Sequence, residues 1–304
     1  MTSSSSQPSL RQIEEMIDAP LEMLSKKSFK DKISEQNGYL VEKEEIVGFR
    51  FESYKMDLDY IDFDILTAFG EIKYLNLRSI HPADWSILKK FSSLTWLRWT
   101  HALLEFHDID FLRHLTRLRY LDLSHNDLIN ISGLYPLKNL RELDLSDNQL
   151  HQNDSDRYIY NLTHALQDLE DFSSKDTDDP LYNEQEKNEL KAQMTGDLQK
   201  AERTGLCVLN ELEKLQILNL AGNELFTVSL LDNLNELTKI DISNNYIIEL
   251  DSLTKMKKLT HVNASNNELK SIKALKKLKY LKYLDIRNNG LENIRGFDHC
   301  KVRI

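Results

Sequence analysis

Aromatic and arginine side chains recur at matching positions of three segments in the first half of the chain. Tyr74, Trp96 and Tyr120 take the same position in these segments, and Arg78 and Arg98 follow the first two rings by four and two residues. Such groups bury much area at a modest entropic cost and are enriched where proteins bind proteins. The pattern predicts an exposed patch that binds a protein partner. Cross-strand packing that stiffens a sheet is the alternative interpretation.

Side chains that could carry catalysis or hold a metal are scattered. The sequence has no phosphate-binding loop, dinucleotide fingerprint, zinc-protease motif or serine-hydrolase motif. Cys207 lies in the apolar stretch LCVLN and Cys300 at a core-like position, so neither is expected to be a nucleophile. His101, His125 and His261 occur singly, whereas a metal site needs a cluster. We therefore expect no enzyme activity, no cofactor, no metal and no small-molecule substrate.

An internal repeat of 22 residues must position these side chains. LRYLDLSHNDL begins at Leu118 and LRELDLSDNQL begins 22 residues later at Leu140. All the regular copies fit L-x-x-L-x-L-x-x-N-x-L, with Ile, Val or Ala at a few positions. A fixed period in this range is typical of a solenoid, in which each repeat buries its apolar face against its neighbours. The other regular copies begin at Leu215, Leu237, Leu259 and Leu281.

Each repeat is expected to contribute one short strand, with leucines pointing inward and the alternate residues outward. Weaker copies at Ile72 and Leu94, and one at Ile46 in which Phe49 and Phe51 replace leucines, bring the predicted number of strands to nine. We therefore predict an α/β solenoid with a curved parallel sheet of about nine strands and short 3₁₀ or extended segments on its convex side. The three aromatic side chains should then lie on adjacent strands.

The repeat also places an asparagine at one position of each regular copy. A buried amide there can bond backbone groups of adjacent coils that would otherwise lack partners, so we interpret these residues as structural. They are Asn126, Asn148, Asn223, Asn245, Asn267 and Asn289.

The repeat pattern resembles intracellular leucine-rich repeat proteins of the 22-residue class, over about residues 46 to 300. That class includes a regulatory subunit of a Ser/Thr protein phosphatase, a spliceosomal adaptor and a dynein light chain. The resemblance implies a non-catalytic protein-binding scaffold or adaptor whose partner lies on the concave face. It also implies an alternative, a regulatory subunit of an enzyme such as a phosphatase or a small GTPase. No partner-binding motif of any one member occurs in the chain.

Three further segments are predicted beside the repeats. Residues 1–9 are expected to be a disordered tail, and residues 10–45 a helical cap over the first coil; a partner-binding amphipathic helix is the alternative for the cap. Residues 46–304 form the repeat domain. It is interrupted at 151–205 by an acidic insertion whose two apolar stripes at helical spacing predict a helical hairpin.

Charge and cysteine content bear on partners and location. The net charge is −10, yet residues from 251 onward hold 13 Lys and Arg against 5 Asp and Glu. That lysine-rich end suggests a nucleic-acid-associated adaptor as a further alternative, which the overall acidity and the lack of interleaved aromatics disfavour. With two cysteines, no apolar signal segment and no membrane-spanning run, we expect a cytoplasmic protein, and a nuclear location is compatible with the same features.

Overall fold

One sheet contains twelve of the fourteen strands found in the described residues. The structure is a computed structural model that describes residues 9–17, 19–32, 36–52, 59–104, 106–150, 188, 191–192, 205–229, 231–291 and 294–304. In chain order the strands are β1 (Glu22–Met23), β2 (Gly38–Glu42), β3 (Glu45–Glu52), β4 (Asp59–Ile61), β5 (Tyr74–Arg78), β6 (Ile80–Pro82), β7 (Trp96–Thr100), β8 (Tyr120–Asp122), β9 (Glu142–Asp144), β10 (Ile217–Asn219), β11 (Lys239–Asp241), β12 (His261–Asn263), β13 (Tyr283–Asp285) and β14 (Lys301–Arg303).

Short helices, most of them 3₁₀, connect the strands. The α-helices in the described residues are α1 (Leu10–Ile17), α2 (Lys26–Lys30) and α3 (Asp64–Thr67). None of the described helices is long and apolar enough to cross a membrane. The 3₁₀ helices are η1 (Trp85–Lys90), η2 (Phe106–His114), η3 (Ser132–Leu134), η4 (Gly205–Glu211), η5 (Asp251–Lys255) and η6 (Lys273–Lys277).

The sheet confirms the predicted solenoid. Its order is β1-β2-β3-β5-β7-β8-β9-β10-β11-β12-β13-β14, and every neighbouring pair from β3 to β14 is parallel. Nine of these strands, β3, β5 and β7 to β13, fall where the repeat predicts them. The sheet is longer than predicted, because β1 and β2 extend one end and β14 the other. The inward leucines and Phe49 and Phe51 join one buried core that runs from Ile13 to Phe297.

The asparagines bond adjacent coils as predicted. Asn126 shows the arrangement: its Oδ1 accepts from the backbone N–H of Ala102 at 3.0 Å and of Leu104 at 3.3 Å. Its Nδ2 donates to the carbonyls of Trp99 and Leu123, both at 2.9 Å. Each amide thus joins its own coil to the previous coil through hydrogen bonds. Equivalent bonds are made by Asn148, Asn223, Asn245, Asn267 and Asn289.

The N-terminal region differs from the predicted helical cap. Only α1 and α2 are helical in the described part of residues 10–45, whereas β1 and β2 belong to the sheet. β2 forms an antiparallel hairpin with β3, because Gly38 and Leu40 are buried in alternation and the turn at Lys43 and Glu44 adopts positive φ angles of 52° and 68°. α1 packs against the core at this end, where its Ile13 is buried.

The insertion leaves the register of the sheet intact. β9 pairs directly with β10, with Glu142 opposite Ile217, although more than 70 residues separate them in sequence. The resumed coil buries Leu206, Leu209 and Leu212 at the predicted positions. The predicted hairpin at 151–205 and the predicted tail lie outside the described residues, apart from Ser9, Asn188, 191–192 and Gly205.

Candidate functional site

The structure brings the predicted aromatic patch together. Tyr74, Trp96 and Tyr120 are direct neighbours across β5, β7 and β8. The rings of Trp96 and Tyr120 stack with centroids 4.7 Å apart and planes 8° apart. This geometry fits the predicted alignment of three adjacent strands and includes the cross-strand packing of the alternative interpretation.

A segment of the same chain covers this patch, so the predicted exposure of Trp96 and Arg98 is wrong. We call residues 22–32, which comprise β1, α2 and the two residues after it, the strap. Trp96 is only 5% exposed and Arg98 only 4%. The fully buried ring of Phe29 in the strap packs edge-on against Trp96 at 5.8 Å and against Tyr74 at 6.3 Å. The rings therefore bury their area against the strap rather than facing solvent.

The helical turn of the strap is capped and approaches the sheet closely. The Ser25 side chain caps α2 by accepting from the backbone N–H of Ser28. Underneath, Gly48 of β3 leaves the necessary room. A Cβ at Gly48 would lie 2.7 Å from the Cβ of Tyr74 and 3.3 Å from the Cζ of Phe29.

Buried donors on the sheet satisfy the carbonyls at the end of α2, which have no partner within the helix. Nη1 of Arg50 donates to the carbonyl oxygens of Phe29 at 3.3 Å and Asp31 at 2.8 Å. Nδ2 of Asn76 donates to the carbonyl of Phe29 at 2.7 Å. A longer contact of 3.5 Å joins Nη1 of Arg98 to the carbonyl of Asp31. The strap is thus held by its backbone as well as by its rings.

Lys32 ends the strap and reaches further along the sheet. Its Nζ lies 3.1 Å from Oδ2 of Asp122 and 2.7 Å from Oδ2 of Asp144. Burial by itself would lower the pKa of Lys32, but the two carboxylates outweigh it and raise the pKa above its usual value. Burial would likewise raise the pKa of Asp144, which the hydrogen bonds from Lys32 and Ser146 hold below its usual value. The pair is therefore charged at neutral pH.

The remaining predicted residue, Arg78, lies at the end of β5. It is half-buried, and its charge acts on His101 in the next coil. Burial first and the charge of Arg78 second lower the pKa of His101 to about 4. The ring of His101 stacks on that of His125 at 4.6 Å. His101 is therefore neutral at pH 7, and the two rings are neighbours in the row after the strands. Within the described residues, no three His, Cys, Asp or Glu side chains lie close enough to hold a metal.

The middle outward position of each strand, which we call the middle column, changes character along the sheet. On β3, β5 and β7 this column carries the hydrogen-bond donors Arg50, Asn76 and Arg98. All three face carbonyls of the strap. From β8 to β13 the column carries carboxylates and amides. Its members there are Asp122, Asp144, Asn219, Asp241, Asn263 and Asp285.

Beside the strap, the concave face is open. A groove of about 450 Å³ extends over β9 to β13, from Lys32 to Tyr283. Half-buried Ile217 lies in its floor, and His261 stacks on Tyr283 with centroids 6.0 Å apart. Burial, followed by the charges of Lys239 and Lys282, lowers the pKa of His261, so its imidazole is neutral at pH 7. Tyr120 lines the groove as well as the aromatic patch.

Sequence reasoning missed the strap and the groove. Phe29 lies within the predicted helical cap, and its contacts with Tyr74 and Trp96 bridge distant parts of the sequence. One signal could have indicated the strap. Two arginines occupy a column that holds Asp or Asn in later repeats, and buried guanidinium groups require acceptors from elsewhere in the chain.

Comparisons with known proteins agree on the fold. A family model described as leucine-rich repeats (2 copies) matches residues 116–172 and 257–299. The crystal structure of an internalin C2 from Listeria monocytogenes is similar, with a TM-score of 0.55 and 18% sequence identity, over 81% of each chain. A search of curated proteins found no match. The repeat match and the shared architecture together support a leucine-rich repeat protein.

Proposed function

We propose that the chain is a non-catalytic scaffold or adaptor that binds a protein partner in the groove over β9 to β13. The strap carries this proposal, because it shows the concave face already binding a peptide segment through rings, carbonyls and one lysine. The adjacent groove offers a further stretch of the same face with an apolar floor around Ile217. Concave, largely apolar surfaces with a few polar groups are typical binding sites.

The aromatic patch stays a proposed contact of a second kind. A partner reaches Tyr120 directly, since that ring lines the groove. It reaches the buried Trp96 and Arg98 fully only when the strap leaves, whereas half-buried Tyr74 lines a surface pocket beside Lys30 with the strap in place. Arg78 is half-buried at the strand ends and is accessible with the strap in place.

Affinity capture with a groove variant tests this proposal. Ile217→Glu places a charge in the groove floor, and Tyr280→Glu, at a side chain 67% exposed outside the groove, is the matched control. We expect proteins captured by the wild type and by Tyr280→Glu to be lost from Ile217→Glu. Cross-links from the retained proteins should map to the groove. Identical capture by all three chains, each folded by circular dichroism, would exclude the groove as the binding surface.

Regulation of an enzyme, for example a phosphatase or a small GTPase, is a narrower form of this proposal. It requires one dominant partner with enzymatic activity whose rate changes when the chain is added. A partner without activity, or an enzyme whose rate stays constant, would leave the scaffold alone as the function.

We also propose an intracellular site of action. Cys207 is buried, Cys300 is half-buried, and no disulfide joins them. Reduced cysteines are the rule in the cytosol and the nucleus. Alkylation of the denatured native protein without reductant should modify both thiols, and a protein recovered with blocked thiols would contradict this location.

A further inference from the structure

We infer that the groove selects a partner segment with a lysine or arginine about one helical turn from an apolar side chain. This inference rests on the proposed function and adds the chemistry of the partner. Its basis is the seating of the strap, the charge balance of the middle column, and the position of Ile217.

The strap shows what this face binds. Phe29 lies in α2, and Lys32 follows it by three residues, beyond Asp31, whose extended backbone ends the helix. Phe29 packs on Trp96 of β7, and Lys32 pairs with Asp122 on β8 and with Asp144 beyond it. The sheet thus supports one mode of binding. An apolar side chain packs over the first outward position of one strand, and a cation pairs with the middle position of the next strand.

One carboxylate of the middle column lacks the cation that the others have. Asp122 and Asp144 share Lys32, and Asp285 pairs with Arg287 at 2.7 Å. Asp241 forms no ion pair in the part of the chain that the structure describes. It accepts only from neutral donors: the N–H and Oγ of Ser243, at 3.0 and 2.6 Å, and Nδ2 of Asn263, at 2.8 Å. A carboxylate in a partly desolvated groove gains from a charged donor.

The groove repeats the step that the strap uses. Ile217 is the first outward residue of β10, and Asp241 is the middle residue of the next strand, β11. This matches the step from Trp96 on β7 to Asp122 on β8. With strands about 4.8 Å apart and two residues spanning about 6.7 Å, the two positions are about 8 Å apart. One turn of a partner helix spans that distance with its side chains.

Lys239 limits where the cation can go. It is exposed in the first outward position of β11, beside Ile217 on β10, and forms no ion pair within the described residues. Its charge repels a cation placed over Ile217 and leaves Asp241 as the attractive position. The groove therefore separates an apolar seat from a cation seat.

Asp241→Asn provides a clean test of the cation seat. The array already carries Asn219 and Asn263 at this position, and their Oδ1 atoms accept the backbone N–H two residues later, as Asp241 does. The substitution thus removes the charge and keeps the acceptor for the backbone. Asp251→Asn in the exposed start of η5 is the matched control for loss of one negative charge.

The experiment selects random peptides on the full chain. We expect the wild type and Asp251→Asn to enrich peptides with Lys or Arg three or four positions from an apolar residue, and Asp241→Asn to lose the basic preference. A synthetic peptide of the enriched sequence should bind Asp241→Asn about fivefold to tenfold more weakly by fluorescence anisotropy.

The Ile217→Glu variant separates the two levels of the proposal. One outcome is that the selected peptides fail to bind Ile217→Glu but lack basic residues, or bind Asp241→Asn as well as the wild type. That outcome would overturn the inference and support the groove as a binding surface. Peptides that bind Ile217→Glu as well as the wild type, or no enrichment above that variant, would overturn both the inference and the proposed function.

Discussion

Trp96 illustrates how one residue changes role once its neighbours are known. Its ring lies between Phe29 of the strap and the stacked ring of Tyr120, and it is almost completely buried. Its main contribution within the chain is therefore to packing. Substitution acts first on stability and only through the strap on any partner.

Truncation of this ring should destabilise the fold. We expect Trp96→Ala to lower the free energy of unfolding by about 3–5 kcal/mol, because a buried aromatic leaves a cavity. Chemical denaturation followed by circular dichroism measures this change. Tyr280→Ala, at a side chain 67% exposed, is the control and should change stability by at most about 0.5 kcal/mol. Equal stability of Trp96→Ala and the wild type would show that the strap does not bury the ring in solution.

The ion pairs of Lys32 are predicted to stabilise the fold only within a range of pH. The pKa of Asp144 is lowered from 3.8, so its contribution is present above that value and is lost as pH falls through the lower folded value. The pKa of Lys32 is raised from 10.5, so its contribution is present below that value and is lost as pH rises through the higher folded value. The stability difference between the wild type and Lys32→Met should therefore be largest between about pH 4 and pH 10. A difference independent of pH, in urea titrations from pH 2.5 to 11, would show that the ion pairs do not contribute.

At the scale of elements, the strap joins the edge of the sheet through β1 and lays α2 over its face. Its contacts include buried Leu24 and Phe29, four carbonyl acceptors and Lys32, and its apolar side chains belong to a small cluster apart from the core that joins the coils. Elements with few buried apolar contacts open at low free energy. The strap is therefore expected to undock without unfolding of the array.

Hydrogen exchange can detect this opening. In Phe29→Ala we expect amides of residues 22–32 to exchange about 100-fold faster, because the strap loses its fully buried ring. Amides in β10 to β13 should exchange at unchanged rates. Acceleration spread evenly over all strands would mean that the strap opens only with global unfolding.

The repeat strands could be predicted from the sequence, whereas the strap could not. Leu121 and Leu123 recur with a fixed period, so each strand, its inward face and the role of Asn126 follow from local spacing. Phe29 meets Trp96 across 67 residues, and such a contact leaves no periodic signal. The sequence therefore predicted correctly that the three rings of the aromatic patch lie on adjacent strands. It predicted the exposure of the patch wrongly. The groove was missed because Ile217 stands out among the outward residues only once it is known which part of the face the strap leaves uncovered.

At the scale of the whole molecule, the asparagines couple neighbouring coils. Asn245 accepts from the backbone N–H of Leu225 and donates to the carbonyls of Leu220 and Ile242. Because each coil contacts only its neighbours, stability is shared along the array through these interfaces. A defect in the middle of the array therefore affects both halves.

We expect Asn245→Ala to lower the free energy of unfolding by about 3 kcal/mol, since it leaves several buried backbone groups without partners. Asn235→Ala, at an exposed side chain, should change it by at most about 0.5 kcal/mol. Thermal unfolding of both variants measures the difference. Similar melting temperatures would mean that water replaces the amide.

Because the strap is tethered to the surface that it covers, it competes there at an effective concentration rather than at a bulk one. Five residues separate Lys32 from β2, and short tethers give effective concentrations in the millimolar range. A partner that binds the aromatic patch must displace the tethered strap, whereas a partner that binds the groove over β9 to β13 does not have to displace the strap. The tether therefore sets an affinity threshold over one half of the concave face and leaves the other half without one.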